Sequence, residues 1–133
     1  MADAPKPNAA GPAPKVRLLK PNPNTPQTSG MRREQLAGGP DHWVGFIHTD
    51  PHTTGGWHHH GSYDSYLYIT SGAIRVEFGK KGAEACVAGP GEVVHVPQQL
   101  IHRELNTTNE EQVIFGARVG HGEFMFNVDG PES

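Results

Sequence analysis

The sequence has a single cysteine, Cys86, so no disulfide can form within the chain. That fits a reducing compartment, and a cytoplasmic location is the expectation. No apolar run exceeds a few residues, which excludes a membrane-spanning helix. The amino terminus, MADAPKPNAAGPAPK, lacks the apolar core of a secretory signal. An excess of positive charge is also missing. The formal net charge is −3, so nothing electrostatic recommends nucleic acid as a partner. No internal repeat is visible, and the hydrophobic fraction is thin at 35%. Glycine and proline, by contrast, are plentiful, at 17 and 12 of 133 residues. Both weaken helix interiors, so the composition argues for short strands and many turns. A mass of 14.4 kDa suits one domain. There are nine histidines, and three of them are consecutive.

Residues 1–30 hold seven of the twelve prolines. Such a stretch buries little and reads as an extended or disordered arm. Its one apolar island, residues 16–19 (Val16-Arg17-Leu18-Leu19), is suited to adding an edge strand to the body or to a partner subunit. Residues 31–129 read as a single β-rich body, and residues 130–133 as a tail. Met31 to Leu36 is ambiguous between a strand and one helical turn. His42 to His48 reads as a strand closed by Asp50-Pro51, and Tyr66 to Thr70 as a strand ending at Ser71-Gly72. In Ala73 to Phe78, Ile74, Val76 and Phe78 share one face, with Arg75 and Glu77 on the other. Ala83 to Ala88, Val93 to Val96, His102 to Asn106 and Gln112 to Val119 complete the series. Regularly spaced short strands indicate a β-sandwich or a small barrel.

In an extended segment, side chains two apart point the same way. His58 and His60 therefore share a face, and His59 points away from it. Two imidazoles so placed reach one metal ion without bending the backbone. A metal site that performs chemistry needs a third protein ligand and an open position. His102, on a later strand just after a turn containing Pro97, is the candidate. A solvated loop patch is the bland alternative for the triplet. If the ligands are ordinary imidazoles, metal affinity falls as pH drops through about 6.5.

This spacing resembles the cupin superfamily. Its first motif has the form G-x5-H-x-H-x(3,4)-E-x6-G, and its second G-x5-P-x-G-x2-H-x3-N. His58, His60 and Gly72 match the first, while Gly91, Pro97, His102 and Asn106 match the second. The resemblance covers about residues 40–120 and implies an all-β, antiparallel, double-stranded β-helix, the jelly-roll barrel. Three positions depart from it. His52 and Gln99 stand where the motifs have glycine, and Ser65 stands where the metal-binding glutamate is expected. Asp64 stands beside Ser65, but a one-residue shift on a strand turns a side chain to the other face. The implied site is thus three histidines without a protein carboxylate, similar to some mononuclear iron cupins of the acetylacetone dioxygenase and cysteine dioxygenase kind. One divalent metal ion per chain is expected, iron first, with manganese, nickel, zinc and copper accepting the same ligands.

Strand parity extends the site. If His102 points inward, so do Glu104, a candidate general base or acceptor for an imidazole, and Asn106, a turn-holding residue in the family. Ser65, His95, Arg118 and Trp43 are candidates to line a substrate pocket, Arg118 by pairing with a carboxylate. Trp57 is a second candidate wall, and Tyr66 and Tyr68 belong to an outer face. Three neutral ligands leave the charge of the ion uncompensated, which favours a small anionic or enolisable substrate. The leading expectation is a metal-dependent enzyme of dioxygenase type. Its rivals are a non-catalytic small-molecule or metal-binding cupin and a cupin isomerase or lyase, since fold does not decide activity. Small cupins commonly pair, and a homodimer is expected.

Overall fold

The computed structural model describes residues 13–133. Eleven strands run through them: β1 (Met31–Gly39), β2 (His42–Thr49), β3 (Thr53–Thr54), β4 (His58–His59), β5 (Asp64–Ser71), β6 (Ile74–Phe78), β7 (Glu84–Ala88), β8 (Val93–Val96), β9 (His102–Asn106), β10 (Gln112–Val119) and β11 (Phe126–Asn127). No helix occurs among the described residues, and none is therefore long and apolar enough to cross a membrane. One sheet has the order β1-β2-β10-β5-β8 and the other β11-β4-β9-β6-β7, with β3 added beside β9. All these strand pairs are antiparallel. The all-β expectation holds. The ambiguous segment at Met31 is strand. The two-residue strands β3 and β11 carry no periodicity, so sequence pattern does not reveal them.

Alternation makes the core. On β5, Ser65, Leu67 and Ile69 are buried while Tyr66, Tyr68 and Thr70 are exposed. On β10, Gln112, Ile114, Gly116 and Arg118 are buried. Ile47, Ile69 and Ile114 lie side by side in register on the first sheet and pack with Ile74 and Val76 of the second. Each such side chain contributes about 1.5–3 kcal/mol by leaving water. Cys86 is exposed.

Two departures from the family motif have a shared backbone reason. His52 and Gln99 have φ of 52° and 65°, the left-handed region that glycine adopts without strain. The turns keep their shape although the residues differ.

Of the arm, residues 1–12 lie outside the described residues. Val16 and Leu18 are exposed and belong to no strand. From Asn22 onward the arm is tied to β1. The Asn22 amide donates to the Gln35 carbonyl, the Gln35 amide to Thr25 Oγ1, and the Gln27 side chain bonds both the amide and the carbonyl of Arg33. At the other end, the Lys81 amide donates to the Glu132 carbonyl, which anchors the tail.

Candidate metal centre

The pairing of β4 with β9 places His58 directly opposite His102. His60 follows just beyond β4 and turns to the same point. The ring centroids are 4.8 Å apart for His58 and His60, 4.4 Å for His58 and His102, and 5.2 Å for His60 and His102. One nitrogen from each ring lies within 4.8 Å of the others. All three side chains are buried. His59 is on the other side, stacked on Phe126 at 4.8 Å, with its Nδ1 accepting the Gly61 amide.

Each of the three rings is held by a backbone carbonyl. His58 Nδ1 donates to Gly56 at 2.8 Å, His60 Nδ1 to Phe124 at 2.6 Å, and His102 Nδ1 to Leu100 at 2.9 Å. A carbonyl only accepts, so the proton sits on Nδ1 and the Nε2 lone pair is free. His102 Nε2 is buried without any hydrogen-bond partner. Such an atom is costly unless something completes it, and an ion on three Nε2 atoms would do so. The three histidines can hold a metal ion, and the donor set fits the one implied by the sequence. No carboxylate of the described residues joins the cluster.

Burial also disfavours the charged form of two of the three rings. The pKa of His60 is lowered to about 3, first by burial and then by the Arg118 charge. Burial likewise lowers that of His102. For these two, the fall in metal affinity expected near pH 6.5 therefore moves to lower pH.

The remaining candidates divide. Glu104 borders a cavity of about 340 Å³ together with His58 and Arg118. Burial pushes the Glu104 pKa up, but the neighbouring His102, His58, His60 and Arg118 outweigh it and leave the carboxyl below its ordinary range. Ser65 and Arg118 are buried and face each other in register, with Trp43 next to Arg118 on the far side. Ser65 Oγ has no partner. The Trp43 indole passes over Gly45, where a Cβ would stand 2.6 Å from the ring, and its N–H donates to Gln35 at 3.0 Å.

Two candidates are corrected. His95 is exposed on the outer face, paired with Asp64 at 2.8 Å and stacked on Tyr66 at 4.9 Å. The alternation of β8 buries Val94 and Val96 instead, so His95 does not line the pocket. Its hydrogen bond also holds the Asp64 pKa down, and Asp64 points away from the histidines with it. Trp57 lies under the Arg103 guanidinium at 4.7 Å rather than against the cavity. Asn106 is a turn residue, its amide donating to the carbonyls of Thr49, Asp50 and Glu110.

Sequence reasoning missed Arg33, Phe124 and Met125, which border the cavities beside the centre. Arg33 lies in the ambiguous segment, where sequence assigns no face. The carbonyl acceptors are out of its reach because any residue supplies one.

A family model described as "Cupin domain" matches residues 45–117. No curated protein matches the sequence. Among solved structures, an uncharacterized conserved protein with a double-stranded β-helix domain from Klebsiella pneumoniae is similar with a TM-score of 0.66. It is 14% identical, over 78% of this chain and 84% of that one. KdgF from Halomonas sp. is similar with a TM-score of 0.60 and 21% identity, over 71% of this chain and 84% of that one. Oxalate decarboxylase from Bacillus subtilis is similar with a TM-score of 0.65 and 17% identity, over 77% of this chain but 28% of that one. At these identities the likeness is one of fold.

Proposed function

The chain belongs to the cupin family, and on that premise we propose that it is a metal-dependent enzyme of dioxygenase type acting on a small anionic or enolisable molecule. The observation that carries this reading is the trio of buried imidazoles, each with Nδ1 bonded to a carbonyl and Nε2 free. His58, His60 and His102 would hold a divalent ion, iron first among the candidates, which would supply positive charge for an anionic substrate and redox chemistry with oxygen.

The chain's own groups do the rest. Arg118 holds the substrate's anionic group. Glu104, ionised at neutral pH, accepts a proton from the substrate at its carboxylate oxygen and returns it later. Trp43 and Ile47 give the cavities apolar walls. Ser65 brings no charge, so no protein carboxylate offsets the ion at the position where the family motif has glutamate.

Metal analysis of protein prepared without an affinity tag, followed by oxygen uptake with β-diketones, catechols, flavonols and thiols, tests the reading. About one divalent ion per chain and uptake with one substrate class are expected. A chain that takes up neither iron(II) nor zinc when loaded overturns it. Ser65→Glu is expected to raise metal affinity and lower activity, because an anion joins neutral ligands and offsets the neighbouring Arg118. Asp64→Asn is expected to leave metal content unchanged.

The exposed Val16, Leu18, Tyr66, Tyr68 and Val93 support a homodimer as the working assembly. Sedimentation of the full chain as a monomer at micromolar concentration would refute it, and deletion of residues 1–24 is expected to weaken the pair.

A further inference from the structure

The interior has a second compartment. A cavity of about 550 Å³ lies beside the 340 Å³ one, and both are bordered by Arg33, Arg118, Thr28 and Met125. The smaller contains His58 and Glu104. The larger contains Trp43, Tyr63 and Phe124 and is mostly apolar. Two arginines therefore border both compartments.

Nothing among the described residues satisfies Arg118. It is 7% exposed and its Nε has no partner. It takes part in none of the ion pairs of the described residues. Its guanidinium lies 5.3 Å from the Trp43 ring and 5.5 Å from the Phe124 ring. Aromatic faces fix the plane of a guanidinium while leaving its edge donors open. Arg33 is held by Nη1 donating to Thr28 Oγ1 at 2.8 Å, and the double bond from Gln27 fixes its backbone. A buried cation without a partner is unfavourable, and a planar anion with two acceptor oxygens suits it. Glu104 bears on Arg118 through its field, yet it forms no pair with it and sits on the histidine side.

We infer that this chain takes amphipathic carboxylates, with the carboxylate on Arg118 and Arg33 and an aromatic or aliphatic tail in the larger compartment. The inference deepens the proposed function and rests on it for the chemistry done on the bound carboxylate, since His58 and Glu104 border the smaller of the two compartments. A two-carbon or three-carbon acid would leave the larger compartment without occupant, whereas its volume lies in the range that pockets use for ligands of drug size. The tail would replace water over Trp43, Tyr63, Phe124 and Met125, and the burial of its apolar surface adds to affinity.

Titration of metal-free protein separates this inference from the metal reading. Calorimetry with 3-phenylpropionate, 3-phenylpropionamide and acetate is the measurement. The carboxylate with the ring is expected to bind at least tenfold more tightly than either the amide or acetate. Arg118→Met and Arg33→Met are each expected to weaken it at least fivefold, with Arg118→Lys recovering part of the loss. Should Arg118→Met fail to fold by circular dichroism, Arg33→Met decides. Equal binding of carboxylate and amide, equal binding of acetate and 3-phenylpropionate, or unchanged affinity in Arg33→Met overturns the inference. A failure of zinc uptake would leave this titration standing.

Discussion

Two rows of residues cross the inner face of the same sheet. One is Ile47, Ile114 and Ile69; the other is Trp43, Arg118 and Ser65. They are four residues apart on every strand, about 13 Å at roughly 3.3 Å per residue. Ile114 and Ile69 are 2% and 0% exposed, and Arg118 and Ser65 are 7% and 2%. Burial is nearly the same, but the chemistry is opposite. Ile69 and Ile114 pack with Ile74 and Val76 of the facing sheet, and of that row Ile47 alone borders a cavity. The arginine row meets cavities and keeps polar atoms without partners. The first row stabilises the barrel. On the proposed function, the second gives up some of that stability for a site whose polar groups await a ligand.

The comparison breaks if Arg118 proves as structural as Ile114. Ile114→Ala is expected to lower unfolding free energy by about 2–5 kcal/mol through lost contacts and a cavity. Arg118→Met is expected to change it by less than about 1 kcal/mol, or to raise it, since an unpaired buried charge is removed. Urea unfolding of the two variants measures this, and equal losses would erase the distinction between the rows.

A smaller effect sharpens the view of the polar end. His60→Ala is expected to weaken zinc binding at least 100-fold, while His59→Ala stays within about threefold, because only one of the two reaches the cluster. Competition with a chromophoric chelator reads both, and parallel losses would contradict the alternation argument.

The smallest effect is in pH. His60 has a folded pKa of about 3 against 6.5 for the free side chain, so the unfolded chain binds the proton first. Stability of metal-free protein is then full above about pH 6.5 and falls as pH drops toward 3, by at most about 1.4 kcal/mol per unit for this group. His102 acts in the same direction. Denaturant midpoints at pH 7, 6 and 5 are expected to show a shallower slope in His60→Ala than in the parent. Ile114→Ala should lower every midpoint and keep the slope.

Much of the barrel and its candidate metal centre is legible in the sequence. Spacing alone puts His58 and His60 on one side and His59 on the other, because a strand has period two. The same rule assigns Ile74 and Val76 to the core. Motif agreement at Gly91, Pro97, His102 and Asn106 identifies the barrel and the third histidine of the cluster. The rule fails where parity depends on which sheet face looks inward. His95 lies on a strand whose neighbours Val94 and Val96 could face either way, and it turns outward to Asp64.

Local chemistry is therefore written in the chain: strands by alternation, turns by glycine and proline, and a chelating pair by the triplet. At His52 and Gln99 even the turns persist without their glycines, since left-handed backbone costs a non-glycine residue only modestly. Tertiary structure alone decides which buried row becomes core and which becomes site. That choice depends on what the opposite sheet and the arm place across the barrel, at distances in sequence where no local pattern reaches. Arg33 and Arg118 come from opposite ends of the chain, and only the closing of β1 and β10 around β2 brings both to the cavities they share.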